Sequence, residues 1–362
     1  MDTRNSSTSS SEREWRGFTG TLISVLVAVT GALYLFVLVI DPYDTVPFSP
    51  DIERVPVDGI QRLFHPMLAK RAAFDSAVIG NSNIRLLEPE QLNGILGGSF
   101  ANLGMNAASS WEQLQMFRLF RRHHQEIGTV IFGLDYLWCV AGWADQNFVG
   151  SVAATDFPEW MFDDSPWNDL PPLNLPVLAH AWRQMLAGAG LSEYEPGLDG
   201  YTVFTKPMAE YDLDKARMEI YGATEPKQKI RVDPPVRMSA PERAELPYPA
   251  LDRLDSMLSE LDPETRKIVL FVPYHRYFQA TPGSREEIVW DECKSRVVAL
   301  ASAHENAYVL DFMIESDITT ADENYWDVKH YTVPIAELLG SLIGKAVVEG
   351  GTDPRFVLLY PE

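Results

Sequence analysis

Between Ser76 and Asp311 the chain alternates short, wholly apolar runs with longer stretches in which hydrophobic residues recur every three or four positions. Ser76 to Gly80, Ser99 to Leu103, Thr129 to Leu134, Lys267 to Pro273 and Ala307 to Asp311 have the length and composition of buried strands. Pro89 suits the first turn of a helix reaching about Leu96. Trp111, Leu114, Phe117 and Phe120 mark one face of a second helix. Helical patterns over Leu251 to Leu261 and Glu286 to Ala303 precede the fourth and fifth strands, and Pro334 to Val348 closes the chain. Apolar strands separated by helices predict an α/β fold, a five-stranded parallel sheet covered on both faces. In such sheets functional groups collect beyond the carboxyl ends of the strands.

Two segments break the alternation. Gly17 to Ile40 carries no charged residue and as a helix would span about 36 Å, enough to cross a bilayer. Its apolar character persists up to Asp41-Pro42 without a small-residue cleavage site, so the pattern predicts an uncleaved anchor. Arg4, Arg13 and Arg16 precede it, and Asp41, Asp44, Asp51 and Glu53 follow. That bias puts the N-terminus in the cytoplasm and the main domain outside the inner membrane. Residues 1–16 read as a disordered polar tail and 41–57 as a Pro- and Asp-rich linker, with a single domain over 58–362. The second segment is 136–249, which holds Trp138, Trp143, Trp160, Trp167 and Trp182 and many prolines. A structureless loop of that length is improbable in a compact domain. It is expected to be a largely helical insertion over the active edge, its tryptophans packing in a satellite core or stacking on sugar rings.

The formal charge of −21 offers no basic surface for phosphate and excludes a nucleic-acid partner. The two cysteines, Cys139 and Cys293, are too few for a cysteine zinc site or a disulfide scaffold. They form one disulfide in an oxidising compartment or stay two buried thiols; sequence does not encode their proximity. No metal or cofactor is expected: His65 and His180 have no partner pattern, and His123 and His124 lie at the end of a helix, where cationic side chains favour the dipole.

The candidate chemistry lies in two fragments far apart. Gly80-Asn81-Ser82-Asn83 ends the first strand, and Asp327-Val328-Lys329-His330 follows the fifth, so both fall on the same sheet edge. A serine hydroxyl becomes a nucleophile when a neighbouring base takes its proton, and the base needs a third group to orient it. Ser82, His330 and Asp327 can supply these roles. An isolated Gly-x-Ser turn is usually a loop, and an isolated Asp-x-x-His is usually a cap or surface pair. Together, with the strands in order between them, they predict acyl-transfer chemistry. The backbone N–H of Ser82 is one candidate donor to the oxyanion. His275, at the end of the fourth strand, either binds substrate or is a hydrogen-bonded structural histidine.

The order Ser…Asp-x-x-His resembles the SGNH (GDSL-like) hydrolase superfamily. Gly80-Asn81-Ser82 stands where that superfamily has Gly-Asp-Ser, and Ala107 stands where its second block has an oxyanion-hole glycine. Gly133-Leu134-Asp135 matches only part of the third block, Gly-x-Asn-Asp. An ionised Asp135 accepts but does not donate, so Asn106 or Asn83 is expected to take over the missing donor. The apolar span, Asp41-Pro42-Tyr43, Lys70-Arg71 and Asp327-x-x-His330-Tyr331 also resemble the membrane-anchored branch linked to polysaccharide O-acetylation. The resemblance implies a flavodoxin-like three-layer sandwich and a serine acyl esterase or O-acyltransferase. It also implies acylated polysaccharide or a small acyl ester as substrate, and a multi-spanning membrane acyltransferase as partner. The rival expectations are an inactive glycan-binding or scaffold relative, favoured by Asp135, and a lipase-like enzyme.

Overall fold

The central strands form because they are rich in apolar and β-branched residues buried on both faces; all six residues of Thr129–Leu134 are buried. In the computed structural model, which describes residues 6–140, 157–163, 170–191 and 197–361, the strands are β1 Ser76–Ile79, β2 Phe100–Asn102, β3 Thr129–Leu134, β4 Arg266–Phe271, β5 Ala307–Asp311 and β6 Val357–Tyr360. The helices are α1 Ser6–Ile40, α2 Gln61–Ala69, α3 Pro89–Leu96, α4 Ser110–His123, α5 Leu175–Gly188, α6 Leu213–Tyr221, α7 Ala240–Ala244, α8 Leu251–Ser259, α9 Arg285–Ala301, α10 Asp317–Thr320 and α11 Val333–Val347.

One sheet has the order β2-β1-β3-β4-β5-β6. The first five strands are parallel, as the alternation of strands and helices predicts, in the doubly wound order 2-1-3-4-5. The expectation of five strands is corrected to six. β6 pairs antiparallel with β5 and forms the edge. Its residues are half-buried to exposed, so Val357-Leu358-Leu359-Tyr360 lacks the doubly buried signature of the others. Helices α2, α4, α8 and α9 make one packed group, while α3 packs against α11. Order reverses between β1 and β3, the position at which doubly wound sheets open a crevice.

The chain divides into two compact units. One holds the sheet and comprises 56–162 and 196–362. The other comprises 1–55 and 163–195. In the latter, α1 is long and apolar enough to cross a membrane over Glu12–Ile40, with mean hydropathy 2.7. Residues 6–16, expected as a polar tail, continue this helix; residues 1–5 lie outside the described residues. Within 41–57, expected as a linker, residues 41–55 are tied down. Asp41 is fully buried, and its carboxylate accepts the amides of Thr45 and Val46 and the Ser49 hydroxyl at 2.8–3.0 Å. The Arg54 Nε donates to the Asp41 carbonyl at 2.6 Å. Tyr43 meets His180 Nδ1 of α5 at 2.7 Å, and the Gln184 side-chain amide accepts from the Val55 N–H and donates to the Val55 carbonyl. Helices α5, α6 and α7 and short 3-10 turns are the regular elements among the described residues of 136–249. Trp143 and Trp167 lie outside those residues.

Two glycines fix the edge of the sheet under Ser82. A Cβ at Gly80 would sit 2.7 Å from Ile84 Cγ1, and one at Gly133 would overlap Ile84 Cγ2. Gly133→Ala is therefore expected to cost about 1–3 kcal/mol by overpacking, measured by urea unfolding. Ile84→Ala placed on top of it should recover part of that loss. A Gly133→Ala midpoint equal to wild type would show that the contact is slack.

Candidate active site

β1 stops at Ile79, and Asn81 redirects the chain. Its Oδ1 accepts the Asn83 amide at 3.0 Å and caps the 3-10 turn Ser82–Ile84. Ser82 is thereby held just past the strand, half-buried. Beyond β5, Tyr325 and Tyr331 pair as an isolated antiparallel bridge, and the loop between them carries Asp327 and His330. The Asp327 Oδ1 accepts the amides of Lys329 and His330 at 2.7 and 2.9 Å, which curls Asp-x-x-His into one turn.

The two loops meet. Ser82 Oγ lies 2.9 Å from His330 Nε2. His330 Nδ1 lies 2.7 Å from Asp327 Oδ2. A carboxylate only accepts, so Nδ1 carries the proton and Nε2 is free to accept from the Ser82 hydroxyl. Burial pushes the Asp327 carboxyl up, but its hydrogen bond and charge interaction with His330 and the two amides outweigh this and hold it below its ordinary value. Asp327 therefore stays ionised, as an orienting group for a histidine must. Among the described residues, the N–H groups of Ser82 and Ala107 donate to no protein acceptor. Ala107 adopts a left-handed φ of 51° and shares a cavity of about 10 Å³ with Asp135.

The other expected residues take different places. Asp135 is buried at the end of β3; its Oδ1 accepts the Leu137 amide at 2.9 Å, and its Oδ2 accepts from Asn81 Nδ2 and from the Tyr274 hydroxyl at 3.3 Å. Burial lifts its pKa to about 6 against these hydrogen bonds and the charge of Lys329. Asn83 turns its side chain inward, donating to the Tyr274 hydroxyl at 2.8 Å, and its carbonyl accepts from Tyr331. Asn106 is clamped by arginines. Arg85 donates to its Oδ1 at 2.7 Å and Arg62 to its carbonyl at 3.0 Å. His275 is buried, its ring edge-on to Tyr221 and Tyr325, with Nε2 3.2 Å from Asp322. Burial lowers the His275 pKa, opposed by Asp322. His275 thus packs beneath the loop that carries His330.

Several contributors were invisible in the sequence. Asp322, at the root of the Asp327–His330 loop, accepts from Arg217 at 2.8 Å and from Tyr221 at 2.6 Å, both on α6 of the insertion. Tyr211 donates to the carbonyls of Asp322 and Tyr325. Phe204 meets the His330 ring edge-on at 5.7 Å and carries the Arg85 guanidinium at 4.5 Å on its face. Thus the insertion braces the loop that carries His330. Its only prior signal was aromatic enrichment, which names no partner. Cys139 and Cys293 form a disulfide with Cα atoms 5.6 Å apart, joining the turn Tyr136–Cys139 to α9.

Two recesses adjoin this edge. One of about 400 Å³ is mainly apolar, walled by Tyr136, Tyr274, Phe278, Val289 and Trp290. The other, about 350 Å³, is lined by charged residues including Lys206, Glu210 and Lys215 around Trp326, the neighbour of Asp327.

No protein-family model matches the chain, and no curated protein matches it. Among solved structures it is similar to a Streptococcus pneumonia protein provisionally described as a platelet activating factor. The likeness has a TM-score of 0.39 and 10% identity over 79% of this chain and 91% of that one. At that score it carries no weight, and the chemistry must stand on the site's own geometry.

Proposed function

We propose that this protein is a membrane-anchored serine acyl esterase or O-acyltransferase of SGNH-like, flavodoxin-type architecture. The observation that carries the reading is the continuous relay from Ser82 Oγ through His330 to Asp327, at 2.9 and 2.7 Å, on the edge where such sheets hold their sites. Ser82 attacks the ester carbonyl and His330 takes its proton. The C–O bond to the alcohol breaks as His330 returns that proton to the leaving oxygen, leaving an acyl-Ser82. Water or a second hydroxyl then attacks the acyl-enzyme by the reverse route. The free N–H groups of Ser82 and Ala107 are the proposed oxyanion donors.

The substrate proposed is an acyl ester of a cell-surface polysaccharide, with acetyl the leading acyl group and a multi-spanning membrane acyltransferase as a candidate partner. The charged recess beside Trp326 supports a hydroxyl-rich ligand, since aromatic rings offer a face to sugars while charged groups bond hydroxyls. The apolar span of α1 and the Cys139–Cys293 disulfide support an anchored domain on the oxidising side of the membrane. Both thiols found free in intact cells would overturn that orientation.

A fluorophosphonate probe should label the full-length protein in detergent, and Ser82→Ala should abolish labelling. The same variant should lose acetate release from an acetylated polysaccharide. A wild type that neither labels nor releases acetate would sink the enzymatic reading and leave a glycan-binding scaffold.

A further inference from the structure

The turn that presents Ser82 is not held by its own backbone alone. Asn81 uses its two side-chain ends in opposite directions. Oδ1 accepts the Asn83 amide inside the turn, and Nδ2 donates to Asp135 Oδ2 at the end of β3. The same Asp135 oxygen receives the Tyr274 hydroxyl from beyond β4, and that hydroxyl in turn accepts from Asn83 Nδ2 at 2.8 Å. A closed ring of four side chains, Asn81, Asp135, Tyr274 and Asn83, therefore straddles Ser82 on both sides along the chain. Asp135 is the only member of the ring that can accept without donating. Its position at the β1–β3 reversal lets one carboxylate tie the nucleophile turn to two other strand ends.

We infer that Asp135 is a positioning residue whose carboxylate, by accepting from Asn81 and Tyr274, fixes the turn that aims Ser82 at its substrate, and that it is not an oxyanion donor. This rests on the acyl-transfer reading of Ser82. A serine rotated out of line loses the near-attack geometry on which rate depends, while substrate binding is little changed. Three donors converge on the two oxygens of Asp135, namely Asn81 Nδ2, the Tyr274 hydroxyl and the Leu137 amide. A proton on Oδ2 would face the ring's two donors and one on Oδ1 would face the Leu137 amide, so protonation weakens the hold on the turn. The titratable groups facing Asp135 are Tyr274, Tyr136 and Lys329, and only Lys329 is cationic.

The sign of the pH dependence follows. Burial raises the Asp135 pKa to about 6, so the competent carboxylate is lost as pH falls through that value. The kcat of the wild type should therefore fall as pH drops through about 6. Stability runs the other way. A carboxyl whose folded pKa lies above its unfolded value destabilises the fold at neutral pH, and this cost is relieved as pH falls through about 6. A donor role for protonated Asp135 would predict the reverse limb, with activity falling as pH rises.

The test is p-nitrophenyl acetate hydrolysis by the full-length protein in detergent from pH 4.5 to 8.5, for wild type, Asp135→Asn, Asn81→Ala, the double variant and Tyr274→Phe. Asp135→Asn keeps the size but places an NH2 group against a donor. It is expected to lower kcat by about 10- to 100-fold with KM within about threefold, and to remove the Asp135 contribution to the acid limb. Asn81→Ala should give a similar loss, and the double variant should be no worse than the more damaging single, because the two act through one hydrogen bond. Tyr274→Phe removes one hydrogen bond that lowers the Asp135 pKa and should move the acid limb to higher pH, a readout that survives even if Asp135→Asn folds poorly. The inference is overturned by an Asp135→Asn enzyme as active as wild type, by multiplying losses in the double variant, or by an unmoved acid limb in Tyr274→Phe. A Ser82→Ala protein as active as wild type would remove both this inference and the reading beneath it. A dead Ser82→Ala beside a fully active Asp135→Asn removes the inference alone.

Discussion

Ser82→Ala and His330→Ala are each expected to reduce ester turnover by roughly 10⁴- to 10⁶-fold, and the double variant is expected to lose little more than either alone. The reason is that neither group works without the other. Without the imidazole the Ser82 proton has nowhere to go at neutral pH, and without the hydroxyl the imidazole has nothing to activate. Asp327→Asn should do about ten- to a hundred-fold less harm, because it disturbs the tautomer and orientation of His330 and forms no bond to substrate. The turn should survive in part, since an Asn at 327 can still accept one of the amides that Asp327 Oδ1 receives from Lys329 and His330. Steady-state hydrolysis of p-nitrophenyl acetate by the four proteins decides the matter. Independent, multiplying losses for Ser82 and His330 would mean that their 2.9 Å approach is not a working relay.

What the sequence shows of this molecule depends on how local each feature is. The parallel strands are legible because a doubly buried strand must be apolar at every position, as Val130, Ile131 and Phe132 are. β6 is not, because an edge strand needs no second buried face. Ser82 and the Asp327–His330 pair are legible because strand order alone sends their loops to one edge, and Asp-x-x-His closes within a single turn. The braces are different. Asp322 is one of many acidic residues, and nothing nearby in sequence marks Arg217, 105 positions away, as its partner. Phe204 against His330 and Tyr274 against Asp135 are likewise contacts that only folding reveals. Asp41-Pro42-Tyr43 reads as the start of a linker after the apolar span, yet Asp41 gathers Thr45, Val46 and Ser49 around a buried carboxylate. Composition reports that such residues are polar, not that they are paired.

Removing the disulfide by Cys139→Ala with Cys293→Ala is expected to lower unfolding stability by about 2–5 kcal/mol. The link joins residues 154 apart, so it restrains a long stretch of the unfolded chain that includes nearly all of the 136–249 insertion. In the folded protein both cysteines are buried, Cys293 completely, on a helix that packs against the turn Tyr136–Cys139. That turn begins where Asp135 accepts the Leu137 amide, so its anchorage reaches the ring around Ser82 within four residues. A loss of turnover of severalfold should accompany the loss of stability, well short of the Ser82→Ala effect. Urea unfolding of the oxidised wild type, the reduced wild type and the double variant separates the causes. Reduced protein and double variant should share one lowered midpoint, because both lack the same cross-link. A double variant as stable as the oxidised protein would show that α9 and the Asp135 turn are held by packing alone, and the disulfide would then say nothing about how the nucleophile edge is kept in place.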